Sequence, residues 1–330
     1  MTGVFSGRPS RAADIGPACP SEREVALRLA AEVFEGFRAP FRRESTWARE
    51  HVHCFVRRVG AEVVSALFAL DLPLHWPANR GRRRPAVRMV SGLDSLVTVP
   101  EARGRGYATE LLEWVHGWVV ARGFAGTALF SEIGPAFYQA RGYTVFPMPF
   151  LRGPLPADDP ERRARDYGRP FRDDDLPRAV ETYRAAARIC PLSVARNREY
   201  WRQQLGWQSQ VLDLRSTGSS ARDFVVSARG PSCYVRSRHD GDIFTVLETG
   251  CAPGDQEALW RLARAEMGRA HREGCVRLVL HLPPWVQPPR DLELRASWYE
   301  TYLVRAAPGQ ILPQVTGGGQ PAYVFRPDYF

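Results

Sequence analysis

The chain has 330 residues, 44% hydrophobic and 25% charged, a composition that excludes a disordered or collagen-like protein. No apolar run approaches the ~20 residues of a membrane helix, so no membrane partner is expected. The formal charge is +9, but apart from the run Arg80, Arg82, Arg83 and Arg84 the basic residues are scattered, which favours a phosphorylated small molecule over nucleic acid.

Residues 1–20 lack the apolar core of a secretory signal and read as a flexible leader, so a cytoplasmic protein is expected. SEREVALRLAAEVFEGF follows as an amphipathic helix, with Ser21 as N-cap and Glu24 completing a capping box. A short helix is expected over Glu44 to Glu50. VHCFVRRVGAEVVSALFALDL reads as two strands turning at Gly60–Ala61, and Pro73 to Pro85 as a loop. AVRMVSGLDSLVTV is the next strand, and a helix from Gly106 to Arg122 should end at Gly123. FAGTALFS, IGPAFYQAR and YTVFPMPFL read as strand, helix and strand. This order predicts an α/β fold in which helices cover one mixed sheet over residues 21–150.

A polar linker is expected over 151–168. From Arg169 a strand-like start leads into a helix capped near Asp175. Three strands follow, with a turn at Asp240–Gly241, then a helix ending at Gly274 and the strand CVRLVLHL. TYLVRA and AYVFR read as edge strands. The order of elements in 169–330 echoes that of 21–150.

RGRGYATELLEWVHGW, Arg103 to Trp118, carries the chemistry. Gly104 and Gly106 permit left-handed backbone that aims successive N–H groups one way, at the start of a helix whose dipole favours an anion. Arg103 and Arg105 add charge, which suits a pyrophosphate. A P-loop is excluded because the chain has no lysine, all 45 basic residues being arginine. GC-rich coding accounts for that bias, although an enzyme that modifies amines would also spare itself by it. A dinucleotide loop is excluded because Thr109 stands at the third-glycine position. The six cysteines, Cys19, Cys54, Cys190, Cys233, Cys251 and Cys275, form no C-x-x-C pair and read as reduced thiols, so no metal is expected. A serine nucleophile has no G-x-S-x-G to support it.

Val99 to Ala108 resembles the acetyl-CoA loop of the GNAT superfamily of N-acetyltransferases, Q/R-x-x-G-x-G/A, matched by Arg103, Gly106 and Ala108. Ser131 to Tyr143 resembles its downstream N-x-x-A-x-x-x-Y block, with serine, glycine and tyrosine where the family has asparagine, alanine and phenylalanine. The finer spelling, SLVTVPEARGRGYA then LFSEIGPAFY, is similar to fungal lysine N6-acetyltransferases. The resemblance implies tandem GNAT-like domains, the first holding acetyl-CoA as co-substrate.

On that resemblance the pyrophosphate rests on Arg103, Gly104, Arg105, Gly106, Tyr107 and Ala108, and the pantetheine arm pairs with the backbone of Leu96, Val97, Thr98 and Val99. Ser131 is a further cofactor residue. Tyr138 is the general acid for the leaving thiolate. Asp94, on the same pleat face as Leu96 and Thr98 if no bulge intervenes, is the first candidate base, and Glu132 the second. Segments Glu35 to Trp47 and Leu72 to Trp76 should wall the acceptor pocket, with Phe37, Trp47 and Trp76 as an aromatic face. The acceptor expected is a small primary amine, cationic like lysine; an amine-bearing antibiotic and a non-catalytic acyl-CoA-binding scaffold are the rivals. A monomer or homodimer is expected. The second copy has TVLETGCAPGDQEALW in place of the loop; Asp255 and Glu257 would repel a pyrophosphate, so no CoA is expected there.

Overall fold

The computed structural model describes residues 14–34, 50–77, 86–131, 134–157, 168–188, 190–202, 225–227, 233–251, 254–283 and 285–313. Contacts divide the chain into two compact units, one built from residues up to Asp71 with Val90–Leu129, the other from Leu72–Met89 with residues from Phe130 onward.

The first unit starts with β1 (Ile15–Pro17) and α1 (Pro20–Val33). The helix begins earlier than the sequence suggests. Pro20, whose fixed φ suits a first helical residue, sets the start, and Cys19 rather than Ser21 is the N-cap. The Glu22 carboxylate, rather than that of Glu24, accepts the Cys19 N–H at 2.8 Å.

β2 (Val52–Val59) and β3 (Glu62–Trp76) form the expected hairpin, and β4 (Ala86–Thr98) follows. α2 (Tyr107–Ala121) connects β4 to β5 (Gly126–Ser131), which runs parallel to β4. The strand order here is β1-β2-β3-β4-β5. α2 buries Leu111, Leu112, Val115 and Val119 at helical spacing, the stripe that holds the crossover on the sheet.

β3 differs from expectation at its end. Residues 73–76 are strand, not loop: His75 donates its N–H to Ser193 O at 2.8 Å, and Leu192 donates to His75 O at 2.7 Å. Pro73 is tolerated because its carbonyl still accepts from Ala195, at 2.7 Å.

In the second unit the one-turn α3 (Ala136–Gln139) leads into β6 (Thr144–Pro154), longer than its apolar run suggests. β7 (Gly168–Pro170) and α4 (Leu176–Ala187) follow, Asp175 occupying the N-cap of α4 as expected. Then come β8 (Val225–Ser227), β9 (Tyr234–Asp240), β10 (Ile243–Gly250), α5 (Gln256–Arg272), β11 (Arg277–Leu280) and β12 (Arg295–Ala306). The order is β12-β6-β11-β10-β9-β8-β7, with β10 and β11 parallel and β6 antiparallel to both β11 and β12.

TYLVRA is buried at its centre rather than an exposed edge. Tyr302, Leu303 and Val304 are fully buried, Tyr302 stacks on Phe130 at 4.9 Å, and β12 pairs with β6. Only side chains on a strand covered from both faces are that dry. The core of this unit collects Val235, Phe244, Val246, Leu259, Leu262, Met267, Leu278 and Leu280 between α5 and the sheet. The expected AYVFR strand, the arginine run, and all but the last residue of the helix expected over Glu44 to Glu50 lie outside the described residues.

Candidate active site

β4 and β5 pair only as Ser91↔Thr127, Gly92↔Ala128 and Leu93↔Leu129 among the described residues. Two residues later Ser95 takes φ 54°. A left-handed serine inside a strand breaks the pleat. Around Ser95 the burial still alternates: Ser95 and Val97 are buried, whereas Leu96 and Thr98 are only partly so, as is Asp94. Its half-buried carboxylate Oδ1 accepts the Ser95 hydroxyl at 2.7 Å.

Beyond the bulge β4 remains tied to β3. Val99 donates its N–H to Val64 O at 3.0 Å, and the Ser65 hydroxyl donates to Val97 O at 2.7 Å. Alternation then turns the peptide groups of Leu96 and Thr98 to the opposite edge, where the ladder to β5 has ended. On that edge Thr98 O accepts from Arg103 Nε at 3.2 Å. Of the four residues expected to pair with a pantetheine, Leu96 and Thr98 face away from β3, and Val97 and Val99 face it.

A 3-10 turn at Pro100–Ala102 carries the chain to the loop. Gly104 and Gly106 have φ of 75° and 85°, and Gly106 is the N-cap of α2. Any side chain there would be strained, although a Cβ at either glycine would meet no protein atom within 4 Å. Arg103, Gly104, Arg105 and Gly106 are exposed, while Tyr107 and Ala108 open the first turn, whose N–H groups have no carbonyl inside the helix. The result is a solvent-open cradle of backbone donors at a positive helix end.

Arg57 flanks this cradle and carries no signal in the sequence, lying 53 residues from its partner Glu110. Its Nε donates to Glu110 Oε2 at 3.0 Å, and its guanidinium sits 5.1 Å from the Tyr107 ring centroid.

In the second unit the Ser131 hydroxyl donates to Gly134 O at 2.8 Å, closing the turn that delivers α3. Tyr138 on α3 is buried, edge-on to Phe137 at 5.0 Å and to Tyr143 at 5.6 Å. Burial pushes its hydroxyl up to about 12, against a smaller opposing pull from Arg141. Trp76 is 1% exposed at the end of β3. Glu132, Phe37 and Trp47 lie outside the described residues.

Polar clusters that include a histidine lie elsewhere among the described residues. Asp71 Oδ2 lies 3.1 Å from both His53 Nε2 and Arg122 Nη2. His239 Nδ1 lies 3.1 Å from Glu273 and 3.8 Å from Cys275 Sγ. The second cluster cannot relay a proton as a nucleophilic triad does, because both partners approach one ring nitrogen. Burial also raises the Cys275 thiol. No group of three metal-binding side chains occurs among the described residues.

No protein-family model matches the sequence, and no curated protein matches it. Solved structures do. A GCN5-related N-acetyltransferase from Anabaena variabilis superimposes with TM-score 0.63 at 13% identity, over 88% of this chain and 72% of that one. One from Kribbella flavida gives 0.61 at 18% identity, over 90% and 72%. Eis1 from Mycobacterium abscessus gives 0.54 at 17% identity, over 89% and 73%. The chain thus has the fold of GCN5-related N-acetyltransferases, with two mixed sheets consistent with tandem GNAT-like domains.

Proposed function

We propose that the protein transfers an acetyl group from acetyl-CoA to a primary amine, by direct attack in a ternary complex. The observation that carries this reading is the joint geometry of β4 and its loop: a ladder that ends at Leu93, a bulge at Ser95, and a left-handed glycine cradle opening α2. The cradle holds the pyrophosphate. The pantetheine arm adds to the edge away from β3, at Leu96 and Thr98, as a short strand would. A backbone N–H on that edge receives the oxyanion as the amine attacks the thioester.

Asp94, an acceptor already oriented by Ser95, takes the amine proton directly or through water. Tyr138 is assigned to the departing sulfur by its place in the downstream block. With its hydroxyl near 12, it remains protonated throughout the working range and donates a hydrogen bond to the developing thiolate. A CoA thiol titrates at ~8.5 like other thiols, so the thiolate leaves readily and needs no full transfer before it departs.

The acceptor is a small cationic amine, with free lysine as the first candidate. A thiol-release assay with lysine, short diamines and amine-bearing antibiotics tests the reading. Amine-dependent release of CoA supports it. Tight acetyl-CoA binding with no release from any amine would make the protein an acyl-CoA-binding scaffold instead.

A further inference from the structure

Glu110 is the feature that fits an anion cradle worst. It stands in the first turn of α2 with its N–H on Gly106 O at 3.0 Å, so its charge lies at the helix end that would receive a pyrophosphate. A carboxylate is at home at a helix N-terminus only while no other anion competes for it.

Arg57 answers that conflict. Its side chain is only 13% exposed, reaching from β2 to the first turn of α2. Nε binds Glu110 Oε2 at 3.0 Å, Nη1 lies 3.4 Å from Asp14 Oδ2 and also donates to Arg58 O, and the guanidinium covers the Tyr107 ring at 5.1 Å. One cation thus neutralises the carboxylate beside the cradle and packs on the first residue of its helix. An ordinary half-exposed ion pair would do neither to any purpose beyond a small gain in stability.

We infer that Arg57 is a positioning residue for acetyl-CoA: it ties the Glu110 carboxylate away from the pyrophosphate and props Tyr107, without itself touching the cofactor. This rests on the reading of the cradle as a CoA site. Arg57→Gln keeps the packing of the stem but frees Glu110 to repel the donor. The KM for acetyl-CoA should then rise about fivefold, the scale of one full charge at a helix end, while kcat changes less than twofold. Glu110→Gln alone should change KM less than twofold, because the carboxylate is already neutralised. The double variant should recover most of the loss.

The experiment is this four-membered cycle, measured by titration calorimetry with acetyl-CoA and by steady-state kinetics, with melting temperatures recorded for all four proteins. Recovery in the double variant supports the inference, and raising the salt concentration should shrink the Arg57→Gln defect. A defect equal in the single and double variants would overturn it, as would an Arg57→Gln protein that binds acetyl-CoA normally. If Arg57→Gln melts too low to assay, Glu110→Arg decides: weaker binding than wild type contradicts an inference built on repulsion. Failure of the wild-type protein to bind acetyl-CoA at all would count against the cradle reading, and is distinguishable from each of these results.

Discussion

In the first crossover β4 enters α2 through VPEARGRG, and in the second β10 enters α5 through CAPGD. Both strands run parallel to the strand after the helix, over Ser91 to Leu93 and over Ile243 to Val246. Both carry an irregularity just past the paired segment, at Ser95 and between Val246 and Glu248. Both helices end on a left-handed glycine, Gly123 and Gly274. The same backbone plan therefore appears twice, and the difference lies in what fills it.

Past Ser95 in β4 the chain turns the peptide groups of Leu96 and Thr98 away from β3 and reaches an uncharged N-cap, Gly106. Past the irregularity in β10 it places Glu248, fully buried, with Arg196 bound two-pronged at 2.9 Å, Arg236 at 3.3 Å and Tyr234 at 2.5 Å. Burial alone would raise the Glu248 carboxyl; the two guanidiniums instead hold it below its ordinary value. Trp201 and Tyr183 cover Arg196 at 4.6 and 4.0 Å. The N-cap of α5 is Asp255, with Glu257 in its first turn. One crossover leaves a solvent-exposed, uncharged helix start; the other fills the same region with a charged core and an acidic helix end.

The largest expected effect falls on that core. Glu248→Gln leaves two buried guanidiniums without their carboxylate and should cost about 3–5 kcal/mol in denaturant unfolding, with acetyl-CoA affinity unchanged in whatever remains folded. A fully stable variant would mean that the cluster is not what holds β9 and β10 together. Next, Gly106→Val should weaken acetyl-CoA binding on the order of a hundredfold, through strain at φ 85° and loss of the open cradle. Retained binding in calorimetry would mean that the loop is not the pyrophosphate site.

Tyr138→Phe should lower kcat about fiftyfold, somewhat below the ~100-fold typical of a lost acid because a thiolate leaves readily, while the KM for acetyl-CoA moves little. Because burial holds the hydroxyl near 12, the active, protonated form persists as pH rises. The wild-type pH–rate curve should therefore climb as the amine deprotonates and show no fall owing to Tyr138 below about pH 10. The smallest effect is expected of Gly254→Ala, at φ 93° in the second loop: about 1–2 kcal/mol of stability and no change in acetyl-CoA affinity. A change in affinity there would break the contrast between the loops.

Much of this was legible in the sequence, because it rests on local patterns. The glycines of the loop, the period of α2 and α5, and the turns at Gly60 and Gly241 are each set by neighbours a few residues away. What escaped was long-range. Arg57 meets Glu110 across 53 residues, and Arg196 meets Glu248 across 52. Nothing in the spacing of these residues marks them, since arginine is everywhere in this chain. Local pattern misplaces the N-cap of α1 because Cys19 is a poor capping side chain, and Pro20 outweighs it. It misjudges β12 because a short apolar run says nothing of the partner that covers it.

The number of acetyl-CoA molecules bound per chain tests the central claim most directly. Titration calorimetry of the full chain should give one site, weakened on the order of a hundredfold in Gly106→Val and untouched in Gly254→Ala. Two sites, or a single site whose affinity Gly106→Val leaves unchanged, would contradict the assignment of the donor to the first crossover.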